Sequence, residues 1–193
     1  TVTDGLSVLP AVKASVPYKI PDDFAFIAGV SQMSFVVSVN AKVPIKSMAE
    51  LIAYAKANEG KLNMAHAGVG SVSHVGCLLL NAAIGIRPTM VPFTGTGPAL
   101  NAIIAGQVDY ICDPVAGSLA HVRAGTARTL AIATGKRNPL LPDVPTSAEA
   151  GLPEFQVAPF YALFAPHGTP KPITETLADA LNRGLSDDLA RKR

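Results

Sequence analysis

Hydroxyl side chains, one histidine and one aspartate gather in three short stretches of this chain, each beside glycine or proline. They are LNMAHAGVGSVSH at residues 62–74, TMVPFTGTGPAL at 89–100 and VDYICDPVAGSL at 108–119. Each reads as an apolar strand, a tight turn and the start of a helix. If the three strands lie parallel in one sheet, three helix N-termini meet at its C-terminal edge. Open α/β folds hold small ligands at that edge, and unpaired helix N–H groups favour an anion there. The chemistry this suggests is binding of a small anion.

In the first stretch Gly68 and Gly70 allow positive φ and a close backbone approach. Ser71 or Ser73 caps the following helix, and His74 falls on its first turn. Read plainly, this is a capped turn with His74 at the surface. Read functionally, the N–H groups around Ala67, Gly68 and Gly70, with Ser71, hold a carboxylate or its bridging water. In the second stretch Thr94, Gly95 and Thr96 are candidate ligand contacts, while Thr96 or Gly97 also suits a cap. Asp113 reads as the N-cap before Pro114 at the first helical position. It also reads as a holder of water or of a ligand amino group, although it would repel an unshielded acid. The three stretches contain no lysine or arginine, so a carboxylate would be read by N–H groups, hydroxyls and water.

Other chemistries fit less well. Ser73 stands where a dinucleotide fingerprint needs its last glycine, and no lysine follows the glycines as a P-loop requires. Ser71 and His74 are three residues apart on one helix, a poor geometry for a nucleophile and its base, and there is no GxSxG elbow. No catalytic residue is therefore expected. The four histidines and two cysteines lack zinc-site spacing, so no metal or other cofactor is expected. Cys77 and Cys112 read as small buried hydrophobes, with a disulfide as the second choice.

Hydrophobic residues make up 49% of the 193 and charged residues 16%, which suits helices covering a sheet. The net charge of +2 is scattered; its one basic cluster, Arg191–Lys192–Arg193, is too short for a nucleic-acid arm. No apolar run reaches the roughly 18 residues of a membrane span. The opening thirty residues show no initiator methionine, basic n-region or apolar h-region.

The positioning elements follow from the punctuation. Residues 24–30 and 34–39 read as extended, and Ser47 with Glu50 forms a capping box for a helix to about Asn58. Strands are expected at 62–65, 89–92, 108–112 and 129–133. The helix at 73–83 presents Val75, Leu78, Leu79 and Ala82 on one face. The next helix starts at Pro98 with the stripe Leu100, Ile103 and Ile104. Thr146 and Glu149 cap a short helix, residues 155–165 are extended, and a last helix from Pro170 repeats Ile173, Leu177, Leu181, Leu185 and Leu189. The terminal pieces hold too few strands for a second sheet of their own.

Four segments together carry a specific resemblance: residues 24–74, VPFTGTGPALNAIIAGQVDYICD, LAIATGKRNPLLPDVPTSAEAGLPEF and APHGTPKPI. In these the chain resembles the substrate-binding receptors of tripartite tricarboxylate transporters, the TctC or Bug family. The match runs along essentially the whole chain, and residues 136–152 carry it best because they have no evident chemical purpose. The resemblance implies an α/β, periplasmic-binding-protein-like fold of the type II, venus-flytrap kind. One α/β domain would be complete and the other present in part, because the first β-α unit with its carboxylate-binding loop has no counterpart before Thr1. It assigns residues 1–33 to part of domain 1, 34–165 to domain 2, and 166–193 to a C-terminal helix returning to domain 1.

The same resemblance implies a periplasmic receptor, not an enzyme, that hands a small organic carboxylate to a cognate membrane permease.

 Such a receptor is expected to carry out no chemistry of its own, to act as a monomer and to bind no nucleic acid. Gly70, Ser71, His74, Thr94 and Asp113 become the ligand-facing wall, with waters bridging to the solute. Many such receptors carry a basic residue where this chain reads Thr94–Gly95, and its absence favours a mono- or dicarboxylate over a tricarboxylate. Two other classes share the plan: an effector-binding regulatory domain, which would carry a helix-turn-helix, and a small α/β hydrolase built on Ser71, His74 or Asp113.

Overall fold

The computed structural model describes residues 2–3, 5–58 and 60–187. In chain order the elements are β1 (Val2–Thr3), α1 (Gly5–Val12), β2 (Phe24–Gln32), β3 (Phe35–Asn40), α2 (Met48–Ala57), β4 (Asn63–His66) and α3 (Val72–Ile84). There follow β5 (Thr89–Pro92), α4 (Thr96–Ile104), β6 (Tyr110–Pro114), α5 (Val115–Arg123), β7 (Ala127–Ile132), β8 (Phe160–Pro166) and α6 (Lys171–Ser186). Two compact units result: one from Met33 to Pro159, the other from the segments on either side of it.

The larger unit is built on a five-stranded sheet in the order β5-β4-β6-β3-β7. Strands β5, β4 and β6 are parallel, as the three-stretch reading requires, and β3 runs antiparallel to both β6 and β7. All six residues of β3 are buried, which is why FVVSVN is almost continuously apolar: a central strand is covered on both faces. Phe35, Val37 and Val39 join α2 and α3 in the main core, while Val36 joins Val115 and Ile132 on the opposite face. Leu100 and Ile103 of α4 close that second face over Ala65 and Ile111. Gly76 of α3 lies against the Phe35 ring so closely that a Cβ there would overlap it.

Local signals explain most element ends. Ser47 Oγ accepts the Glu50 N–H at the start of α2, and Gly85 ends α3 in the left-handed region at φ 71°. Asn40 donates to the carbonyls of Ile103 and Ile104, 2.9 Å each, and so satisfies the end of α4.

Five sequence expectations are corrected here. Helix α3 buries Cys77, Leu80 and Ile84, leaving Leu79 51% exposed; Gly76 against Phe35 and a disulfide from Cys77 to Cys112 fix that face. The two cysteines are thus bonded, their Cα atoms 5.2 Å apart, where the sequence favoured separate thiols. Helix α4 begins at Thr96, two residues before the expected start at Pro98, with Gly95 at φ 151° as its N-cap. Thr146 and Glu149 make the expected reciprocal hydrogen bonds, but around a turn instead of a helix.

The smaller unit supplies the fifth correction. It has a sheet of its own, β1-β8-β2, antiparallel throughout. Strand β8, which the 34–165 boundary placed in the other unit, pairs along nearly all of β2. Phe164 stacks edge-on against Phe24 and Phe26. Helix α6 packs on β2, with Ile173 and Leu177 exposed. Leu189 and the 191–193 basic cluster lie outside the described residues.

Candidate functional site

The parallel strands β4, β5 and β6 deliver their C-terminal ends to one edge of the sheet, and a helix starts just beyond each. Side chains alternate along a strand, so two clusters form on opposite faces. Met64 packs with the α2–α3 core, and His66, two residues on, shares its face. Ile111 packs with α4, and Asp113 shares that side.

The first cluster is the turn between β4 and α3. Gly68 and Gly70 sit at φ 108° and 80°, conformations in which L side chains are disfavoured. Ser71 is the N-cap of α3, accepting the His74 N–H at 3.2 Å. Its hydroxyl also meets that of Ser73 at 3.0 Å, and Ser73 Oγ accepts the Ala67 N–H at 2.8 Å. His74 Nδ1 accepts the Gly70 N–H at 3.2 Å, so the ring fastens the turn and is buried, not at the surface. Burial, and then the neighbouring His66, hold its pKa below the ordinary 6.5. The two rings lie 4.5 Å apart, and His66 Nδ1 is buried with no protein partner.

The second cluster joins the other two helix starts. The N-terminal residue of α4, Thr96, donates its hydroxyl to Asp113 Oδ1 at 3.1 Å. Asp113 is 1% exposed, and its Oδ2 has no protein partner. Burial raises its pKa to about 7, partly offset by the Thr96 hydrogen bond. The expected N-cap role is not taken: Asp113 remains in β6, and Pro114 is the N-cap of α5 with no side-chain hydrogen bond. The carboxyl reaches instead over Gly117, where a Cβ would overlap Oδ2 and lie 2.8 Å from Thr96 Cγ2.

The predicted residues therefore fall into two hydrogen-bonded groups. Ala67, Gly68, Gly70, Ser71 and His74 form one; Thr96 and Asp113 form the other. The β5–α4 turn approaches the first group, since Phe93 N–H donates to the His66 carbonyl at 2.8 Å and Gly68 faces the Phe93 carbonyl. Thr94 is exposed in that turn and Gly95 is its cap. Gly117 and the packing role of His66 escaped the sequence reading. Gly117 sits one helical turn beyond Asp113, but nothing in AGS distinguishes it from an ordinary helical glycine.

Chemically, this edge offers N–H groups, hydroxyls and one buried carboxyl. His74 Nδ1 is engaged by the Gly70 N–H and Ser71 Oγ by the His74 N–H, so the two side chains do not form a base–nucleophile pair. Among the described residues no group of three or more His, Cys, Asp or Glu side chains is placed to hold a metal ion. Cavities of about 640 and 440 Å³ lie elsewhere, one beside Asn81 and Arg87 and the other beside Ser47 and Asp143.

Comparison with known proteins places this geometry. MatC from Rhodopseudomonas palustris with bound malate is 42% identical, with a TM-score of 0.89 over 95% of this chain and 63% of MatC. Rpa4515 of R. palustris with adipate is 30% identical, with a TM-score of 0.89 over 98% of this chain and 64% of that one. BugT of Bordetella pertussis is 35% identical over 181 residues, 94% of this chain and 54% of BugT. The chain spans about half the length of most of the curated relatives it matches. Residues 1–191 match the tripartite tricarboxylate transporter family receptor, TctC, and the chain belongs to that family of two-domain solute-binding receptors.

Proposed function

We propose that this chain forms part of a periplasmic receptor that captures a small mono- or dicarboxylate for a tripartite membrane transporter, without chemical turnover. The observation that carries the reading is the convergence of three parallel strand ends, each followed by a helix start, on one edge furnished with N–H groups and hydroxyls. Ala67, Gly68, Gly70, Ser71 and His74 form the carboxylate-reading turn, Thr94 and Gly95 flank it, and Thr96 with Asp113 completes the wall. Waters bridge where side chains fall short. The relatives with malate and adipate support the solute class. The Cys77–Cys112 disulfide supports an oxidising compartment, and no described helix is long and apolar enough to cross a membrane.

The test is an amide NMR titration with succinate, glutamate, citrate and a hydroxybenzoate. Saturable shifts confined to residues 67–74 and 93–97 would support the reading and rank the solutes. A well-dispersed spectrum that none of the four perturbs would overturn it.

A further inference from the structure

The hydrogen bond between Thr96 and Asp113 has a direction, and the direction bears on what the site accepts. A threonine hydroxyl has one proton and two lone pairs. Here the proton goes to Asp113 Oδ1 at 3.1 Å. An ionised Asp113 carboxylate is an acceptor only, which leaves the donor's part in this bond to the hydroxyl. The same carboxylate has a second oxygen, Oδ2, buried without a protein donor. Gly117 leaves the space in which that carboxyl sits, so Thr96, Asp113 and Gly117 form one packed unit between two helix starts. The three turns at this edge contain no lysine or arginine to supply the missing donor.

We infer that Thr96, its proton held by Asp113, acts as a hydrogen-bond acceptor toward the solute and selects acids bearing a hydroxyl or amino donor over plain dicarboxylates. The inference rests on the receptor reading above and adds the solute's second functional group to it. Backbone N–H groups of the other turns receive the carboxylate oxygens; the Thr96–Asp113 pair receives a proton. A solute with only methylene at that point leaves the acceptor unpaired, and sites built around a hydrogen bond discriminate strongly against analogues that lack it.

The experiment compares L-malate, L-aspartate and succinate by calorimetry at pH 8 in the parent, Thr96→Val and Thr96→Ser proteins. The parent is expected to bind malate or aspartate at least about tenfold more tightly than succinate. Thr96→Val should bring that ratio to near one, and Thr96→Ser, which keeps the hydroxyl, should restore it. Equal affinities in the parent, or a ratio unchanged in Thr96→Val, would overturn the inference and leave the receptor reading standing. Failure of the parent to bind any of the three acids would overturn the inference, and the receptor reading with it if the four solutes of the NMR titration also leave the spectrum unperturbed. Should Thr96→Val not fold, the parent's own ratio and that of Thr96→Ser decide the matter.

Discussion

Cys77 is bonded to Cys112, so the helix that carries His74 is tied covalently to the strand that carries Asp113. Cys77 lies three positions after His74 in α3, and Cys112 immediately precedes Asp113 in β6. The bond thus links the two faces of the candidate site through the sheet itself.

Opening this bond should destabilise the larger unit. The cysteines are 35 residues apart, and closing a loop of that size restrains the unfolded chain by about 4 kcal/mol in the entropic account. Cys77→Ser with Cys112→Ser, or the parent in reductant, should melt several degrees lower. An unchanged melting temperature would show that packing alone holds α3 on β6.

Gly70→Val should damage solute binding more than folding. Gly70 lies at φ 80°, where a β-branched residue is strained by roughly 1–3 kcal/mol, and its N–H holds His74 Nδ1. The expected result is a folded protein whose affinity has fallen more than about tenfold. An unchanged dissociation constant would remove this turn from the site.

Asp113 and His74 pull the pH dependence of stability in opposite directions. Burial raises the folded pKa of Asp113 from 3.8 to about 7, so its ionisation lowers stability progressively as pH rises through that window. The folded pKa of His74 is held below 6.5; the stability it lends is present above that value and is lost as pH falls below it. Asp113→Asn removes the first effect and keeps the second. Urea unfolding at pH 5 and pH 8 should therefore show the variant gaining on the parent by up to a few kcal/mol at the higher pH. A gap independent of pH would contradict the burial of an ionisable carboxyl here.

Gly117→Ala should cost roughly 1–3 kcal/mol, because the new methyl must displace Asp113 or Thr96 in a packed site. Combined with Asp113→Ala, the same change should cost less than the sum of the two separately. A double-mutant cycle in denaturant measures that coupling, and strict additivity would mean the three residues do not share one space.

How much of this was legible in the sequence depended on the range of the interaction. The Gly68–Gly70 turn, the Ser71 and Ser47 caps and the three strand–helix units are local, and their residue types announce them. The face of α3 was misread because Leu78 and Leu79 look like a core stripe, whereas a disulfide and the Phe35 ring, both remote in sequence, set the helix rotation. Asp113 before Pro114 satisfies every local rule for a cap; only the distant Thr96 and Gly117 show where its carboxyl goes. The pairing of β8 with β2 spans more than a hundred residues, and no local pattern encodes it.

The contact between Gly76 and Phe35 reaches beyond this one molecule. The ring occupies the volume that any larger side chain at position 76 would need, so position 76 cannot enlarge while Phe35 stays in place. A chimera that takes the segment around Phe35 from one relative and the helix around Gly76 from another risks a steric collision in its core. Crossovers that keep residues 35–76 together carry the pair across intact.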